Sequence, residues 1–276
     1  MEQQVSNFVQ LLREICEEEN IHLESFSGNW AHRLEKEGRT AHIVGHQFDL
    51  NTTGVSEICR DKALTSALLA AGGVPCAEHE FLELGKTVLS ERMDAYLGKC
   101  RTLLDRDGKF VLKDNYGTGG NRVFLIGSAE EAEETLLKIQ NFSYAAALSP
   151  FYEILEEYRV VCLFGEPLLL IRKERAYEIV DGRKVYLNWR HNLGQGATGV
   201  PLQDASLIRE LSDLANRALR AVPAHFASVD IIACPDGNRV LEINSGVMLE
   251  HFSGQDEACR HLAKEVYRAA IRKMLA

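Results

Sequence analysis

The chain has 276 residues, 46% of them hydrophobic and 26% charged, an ordinary globular composition with room for one large domain or two to three lobes. Its net charge of −9 argues against a general nucleic-acid surface, which needs many basic residues, but allows a local basic pocket for a small anion. Seven scattered cysteines without a CxxC pair disfavour a disulfide frame or a zinc site, and no apolar run reaches the ~18 residues of a membrane span.

Val5, Phe8, Val9, Leu12, Ile15 and Cys16 recur at helical spacing, predicting an amphipathic helix over 5–19. Extended pieces are expected near 21–26 and 40–45. "RDKALTSALLAAGGVP" predicts a helix over 61–71, started at Asp61 and ended by Gly72, Gly73 and Pro75. "KFVLKD" (109–114) and "RVFLI" (122–126) read as strands around the loop "NYGTGGN". Ser128 with Glu131 makes a capping-box pattern for a helix to about Ile139. "EEYRVVCLFGEPLLLIRKER" reads as two strands joined at Gly165-Glu166-Pro167. A helix is expected over 206–221, a hairpin in "SVDIIACPDGNRVLEIN" turning at Asp236-Gly237, and a last helix from Glu257. Mixed helices and hairpins predict α+β lobes with antiparallel sheets.

The last hairpin carries the chemistry. Asp230 interrupts one apolar strand, and Glu242 and Asn244 interrupt the other, two residues apart and so on one face. A three-residue loop, Asp236-Gly237-Asn238, would set Asp230 opposite Asn244 and Ile232 opposite Glu242, putting all three oxygen-bearing side chains on that face. A two-residue loop would turn Asp230 away. Converging, they would make a hard-cation site of the kind Mg²⁺ takes. The other reading is a buried network in which arginines pair Asp230 and Glu242.

The glycine-rich "YGTGGNRV" follows the strand bearing Lys113. Its backbone N–H groups suit an anion, although an ordinary turn has the same composition. Lys62 reads equally as a surface residue. Glu157 and Arg159 lie two apart on a strand downstream of Phe151 and Tyr152, either as an edge ion pair or as part of a purine-binding hinge. "NWRHNLGQGATG" is a polar loop that suits a lid.

The succession "DK" (61–62), "FVLKD" with "GTGG" (110–120), "EYR" (157–159), "WRHNLGQGA" (189–197), "SVD" (228–230) and "LEINS" (241–245) resembles the ATP-grasp superfamily, in family order over about residues 47–255. It is most similar to carboxylate–amine ligases related to ribosomal-protein glutamate ligases, D-alanine–D-alanine ligase and glutathione or cyanophycin synthetases. The resemblance implies an ATP-grasp fold in which two α+β lobes with antiparallel sheets clasp ATP. A short N-terminal α/β portion (1–60) would precede an N-terminal lobe (61–149) and a C-terminal lobe with the metal site (150–276). It implies that Lys62, Lys113, Gly117, Thr118, Gly119 and Gly120 meet the phosphates and that Phe151, Tyr152 and Glu153 lie against adenine. Glu157 would hold the ribose, Asn192 would complete the nucleotide site, and Asp230, Glu242 and Asn244 would bind one or two Mg²⁺ (or Mn²⁺) ions. Arg190, Arg159 and Lys173 are the candidate catalytic cations.

This chain departs from those relatives at Ser228, where D-alanine–D-alanine ligases have an arginine, and in "NSGVMLEHF", where relatives often continue with Pro-Gly. The expected activity is an ATP-dependent ligase joining a carboxylic acid to an amine through an acyl phosphate, with an amino acid or peptide as substrate. The alternatives are a phosphotransferase or a non-catalytic nucleotide-binding module. The expected protein is cytoplasmic, without nucleic-acid or membrane partners, and a homodimer is possible.

Overall fold

The computed structural model describes residues 5–180, 183–186, 193 and 196–276. Helix α1 (Asn7–Glu18) is capped by Ser6, whose side chain accepts from the Val9 N–H, and buries the face from Phe8 to Cys16 that its spacing announces. Strands β1 (His22–Phe26), β2 (Ala31–Lys36), β3 (Arg39–Val44) and β4 (Gln47–Phe48) follow as an antiparallel meander. The two expected extended pieces are β1 and β3, and β2 lies paired between them.

Helices α2 (Thr53–Arg60) and α3 (Lys62–Ala71) come next. Asp61 caps α3 by accepting from the Leu64 N–H at 2.9 Å. The first α+β lobe contains β5 (Glu80–Glu83), α4 (Lys86–Asp107), β6 (Phe110–Asp114), β7 (Val123–Ile126), α5 (Ala129–Gln140) and β8 (Ala145–Pro150). Its four strands run in the order β5-β8-β6-β7. Leu82, Phe110, Leu112 and Leu148 point to the α4 and α5 side of the sheet, where Leu136 and Ile139 meet them. Ser128 caps α5 as its pattern predicts, while Glu131 accepts from the neighbouring Gly127 N–H instead of the cap's own.

The second lobe holds β9 (Glu156–Leu163), β10 (Glu166–Glu174), β11 (Tyr177–Val180), β12 (Arg183–Tyr186), β13 (Thr198–Pro201), α6 (Ala205–Ala221), β14 (Phe226–Cys234), β15 (Gly237–Asn244), α7 (Glu250–Ser253) and α8 (Glu257–Met274). Five of its strands form an antiparallel sheet in the order β13-β10-β9-β14-β15. The β9–β10 turn is Phe164-Gly165, one residue earlier than expected, because Leu163 already pairs with Glu166 and both turn residues take positive φ.

Alternation along these strands gives the sheet two different faces. Val160, Val229, Ile231 and Ile243 pack under α6, α2 and α3. On the other face, Val161, Leu169, Ile171 and Phe226 join a core with α1, α8 and the β1–β4 meander. Farther along that same face, toward β8, the apolar row gives way to Glu157, Arg159, Lys173, Asp230 and Glu242.

Helices α1 and α8 are also clasped by charge. Glu14 accepts from Arg260 and from Lys264 (2.9 Å), and Glu18 and Glu19 accept from Lys264, Arg268 and Arg272. The Arg260 hydrogen bond, joined by Lys264 and opposed by burial, lowers the Glu14 carboxyl to about 2. Since folding depresses this pKa, its stabilisation is present above the ordinary carboxylate range and is lost as pH falls toward 2. Glu14→Gln is expected to lower stability at neutral pH by ~1 kcal/mol or less, because the group is part-exposed. The gap between the two melting temperatures should close between about pH 5 and pH 2.

Candidate functional site

Lys62 is the first residue of α3, and its ammonium donates to the carbonyls of Gly117 and Asn115 (3.4 Å for the latter). The Ala63 N–H donates to Asn115 Oδ1 at 3.1 Å, and the Tyr116 hydroxyl donates to Asp61 Oδ2 at 3.2 Å. The base of the β6–β7 loop is thus tied to the start of α3. At its tip, Gly119 and Gly120 take φ of +66° and +69°, where a side chain would be strained.

Lys113 sits on β6 between β8 and β7 and is 9% exposed. Burial pushes its ammonium down to about 8. Glu242 and Glu157 in the other lobe oppose that shift, and Lys62 adds to it. Lys113 therefore looks across a cleft at the charged end of the second sheet. The cleft encloses about 890 Å³, part of it open to solvent.

The opposing wall comes from the β14–β15 hairpin, whose register differs from the expected one. Cys234 pairs with Gly237, so the loop is the two residues Pro235-Asp236. Leu241 is then an extra residue in β15: Ile231 pairs with Val240 and Asp230 with Glu242. A shorter loop alone would have turned Asp230 away, and the bulge restores the face. Asp230 and Glu242 lie directly opposite each other, and Asn244, opposite Ser228, donates to Glu242 Oε1 at 3.2 Å.

Arg159 stands on the other side of Asp230, in β9, and grips it with two bonds of 2.8 Å each. Lys173 Nζ lies 2.9 Å from Asp230 Oδ2 and donates to Glu157 Oε1 at 2.5 Å. Burial would raise the Asp230 carboxyl, but Arg159 and Lys173 outweigh it and hold it below the usual range. For Asp230 the arginine-paired reading is thus realised; Glu242 meets Asn244.

Lys62, Lys113, Gly117, Gly119, Gly120, Phe151, Tyr152, Glu157, Asp230 and Glu242 all line the cleft. Thr118 and Glu153 are exposed and do not line it. Thr118 turns outward at the loop tip, and Ile154 takes the inward place expected of Glu153. Asn244, Arg159 and Lys173 are not among the lining residues but bond to them: Asn244 to Glu242, Arg159 to Asp230, and Lys173 to Asp230 and Glu157. Arg190 and Asn192 fall outside the described residues.

Sequence reasoning missed the apolar slot beside the charges. Val111 and Val123 come from the first lobe, Ile154, Ile232 and Leu241 from the hinge and the second. Alternation held part of the signal, since Val111 is two residues before Lys113 and Ile232 two after Asp230. Leu241 enters through the bulge, which no pattern announces.

The oxygen donors suit a hard divalent cation. Asp230 Oδ1 carries one hydrogen bond and Oδ2 two, which leaves acceptor capacity on Oδ1. Among the described residues no group of three or more His, Cys, Asp and Glu side chains could hold a metal. An ion here would need the Asn244 oxygen and oxygens brought by its ligand, as Mg²⁺ commonly does.

Comparison with known proteins bears on the fold. A family model described as the RimK-like ATP-grasp domain matches residues 177–267. Tetrahydromethanopterin:alpha-L-glutamate ligase of Methanocaldococcus jannaschii is 27% identical over 194 residues, covering 67% of this chain and 57% of that protein. The chain therefore spans little more than half the length of that relative. Among solved structures, a bifunctional glutathione synthetase from Pasteurella multocida superimposes with a TM-score of 0.61 at 13% identity, over 96% of this chain and 44% of that one. D-alanine–D-alanine ligase from Bacillus anthracis gives 0.59 at 15% identity, over 83% and 71%. The fold is ATP-grasp, as the motif order implied.

Proposed function

We propose that this ATP-grasp chain is an ATP-dependent carboxylate–amine ligase, forming an amide through an acyl phosphate and releasing ADP and phosphate. The observation that carries the reading is the facing of Lys113 in one sheet with Asp230 and Glu242 in the other, beside an apolar slot. A nucleotide has that polarity: a flat base for the slot and a triphosphate for the charges.

In this reading the base lies between Val111 and Val123 on one side and Ile232 and Leu241 on the other, against the hinge at Phe151 and Tyr152. Lys62, Lys113 and the N–H groups of the glycine loop bind and orient the phosphates. Asp230, Glu242 and Asn244 would hold Mg²⁺ or Mn²⁺, which when bound supplies charge neutralisation at the terminal phosphates. The substrate carboxylate attacks the γ-phosphorus, and the amine then displaces phosphate from the acyl group. Catalysis is positioning and electrostatic stabilisation. The relative named for a glutamate ligation supports an amino acid or a peptide as a substrate.

Hydroxylamine trapping tests this directly. Incubation with Mg-ATP and a panel of amino acids, peptides and other carboxylic acids is expected to yield a hydroxamate and ADP for the right acid. ADP with a phosphorylated acceptor and no hydroxamate would replace the ligase with a phosphotransferase.

Lys113 gives a pH signature as well. In the free protein it loses its proton around pH 8, whereas a bound triphosphate favours its charged form. ATP binding is expected to take up a proton near pH 8, and affinity should fall by up to about tenfold per pH unit above it. Calorimetry in buffers of different ionisation enthalpy reads both. Binding without proton uptake there would remove Lys113 from the phosphates.

A further inference from the structure

We infer that Arg159 and Lys173 are built-in counter-ions of Asp230, and that they make divalent-ion binding depend on the nucleotide. This rests on the functional reading above and adds a binding order to it. Arg159 holds both Asp230 oxygens at 2.8 Å, and Lys173 reaches Oδ2 at 2.9 Å and Glu157 at 2.5 Å. These are not loose surface pairs: the side chains of Asp230 and Lys173 are each 2% exposed, Glu157 8% and Arg159 15%. The register fixes the arrangement, with Asp230 between Arg159 and Glu242 in one cross-strand row and Glu157 opposite Lys173 in the next.

Charge counting gives the consequence. Among the described residues, Glu157, Asp230 and Glu242 face Arg159, Lys173 and, across the cleft, Lys113 and Lys62. Three carboxylates set against these four cations offer no net attraction to a bare divalent ion. Such an ion entering alone would bring uncompensated positive charge into a buried site beside two fixed cations, which is costly at low dielectric. Arriving with a triphosphate, the same ion carries its own negative charge and oxygen ligands. Arg159 and Lys173 are therefore positioning residues. They keep Asp230 ionised and aimed into the cleft while holding the metal off until ATP is present. Arg159 also reaches the Met248 carbonyl at 3.5 Å, linking Asp230 to the segment that follows Asn244.

Mn²⁺ titration followed by the EPR signal of the free ion tests this on the intact chain, with and without a non-hydrolysable ATP analogue, the Mn²⁺ bound by the analogue alone in solution being measured in parallel and subtracted. The expected result is that the analogue tightens Mn²⁺ binding by roughly 100-fold or more. Lys173→Met should strengthen binding without nucleotide and narrow that ratio by about tenfold, while Lys173→Arg keeps it. Equal Mn²⁺ affinity with and without the analogue in the wild-type chain would overturn the inference. So would a ratio unchanged in a folded Lys173→Met. Should that variant not fold, Lys173→Gln, neutral but still able to donate to Asp230 and Glu157, takes its place in the same titration. Failure of the analogue to bind at all, with or without Mn²⁺, would instead overturn the functional reading and the inference with it.

Discussion

Glu242→Gln is expected to lower ATP turnover by about 10² to 10³ while the chain keeps its fold, because removing one charged contact to a developing transition state typically costs ~3 kcal/mol. The substitution is nearly isosteric, and the position is only partly buried. Asn244 donates to Glu242 Oε1, and a glutamine oxygen can accept that same bond. What disappears is the negative charge. A second signature follows from the cleft: Glu242 is the largest influence holding the Lys113 ammonium up against burial. Without it Lys113 should lose its proton at lower pH, so the proton uptake on ATP binding should set in at lower pH than in the wild type. A melting curve that keeps a single cooperative transition, a lost ADP signal and a shifted uptake profile together would identify Glu242 as an electrostatic residue. Turnover like that of the wild type would remove the metal assignment.

Much of this site was legible because charges inside apolar strands are conspicuous. Asp230 and Glu242 interrupt runs that otherwise read as core, where an uncompensated charge is costly, while Lys113 drew notice from the glycine loop that follows it. The face they share was also read correctly, but through a register that differs: the two-residue loop and the Leu241 bulge each shift the pairing, and the two shifts preserve the face. The apolar slot was not legible, since Val123 or Ile232 looks like any core residue until the lobes are opposed.

The fold shows the same division. Helix α1 buries a continuous stripe, so its period is strong. Helix α4 is nearly twice as long yet buries only Leu89, Tyr96, Leu97 and Cys100, too few to mark a face. Strand β8 is formed by "AAALSP", an alanine-rich run with little strand propensity that gave no strand signal in the sequence. Its strand state is imposed by pairing with both β5 and β6, with five of its six residues buried.

Lys113→Met should abolish ATP binding and stabilise the protein, and this pairing separates a functional lysine from a structural one. The side chain is 9% exposed on a strand with a neighbour on each side, and burial has brought its pKa to about 8. The depression corresponds to about 3 kcal/mol of destabilisation at neutral pH, an order-of-magnitude figure at 1.36 kcal/mol per unit. Methionine keeps most of the apolar stem and removes the charge. The melting temperature is expected to rise by several degrees, and ATP affinity to fall by about 10² or more. The sign of the pH dependence follows from linkage. Below pH 8 the lysine is charged in both folded and unfolded chains, so the variant keeps its full advantage. Between about pH 8 and 10.5 the unfolded chain binds more protons, the wild-type protein gains stability with rising pH, and the advantage shrinks. A core carrying such a charge without its ligand is under strain that only the ligand relieves, so ATP should stabilise the wild type far more than the variant. If Lys113→Met instead lowers the melting temperature and leaves ATP binding intact, the lysine belongs to the scaffold and the triphosphate lies elsewhere.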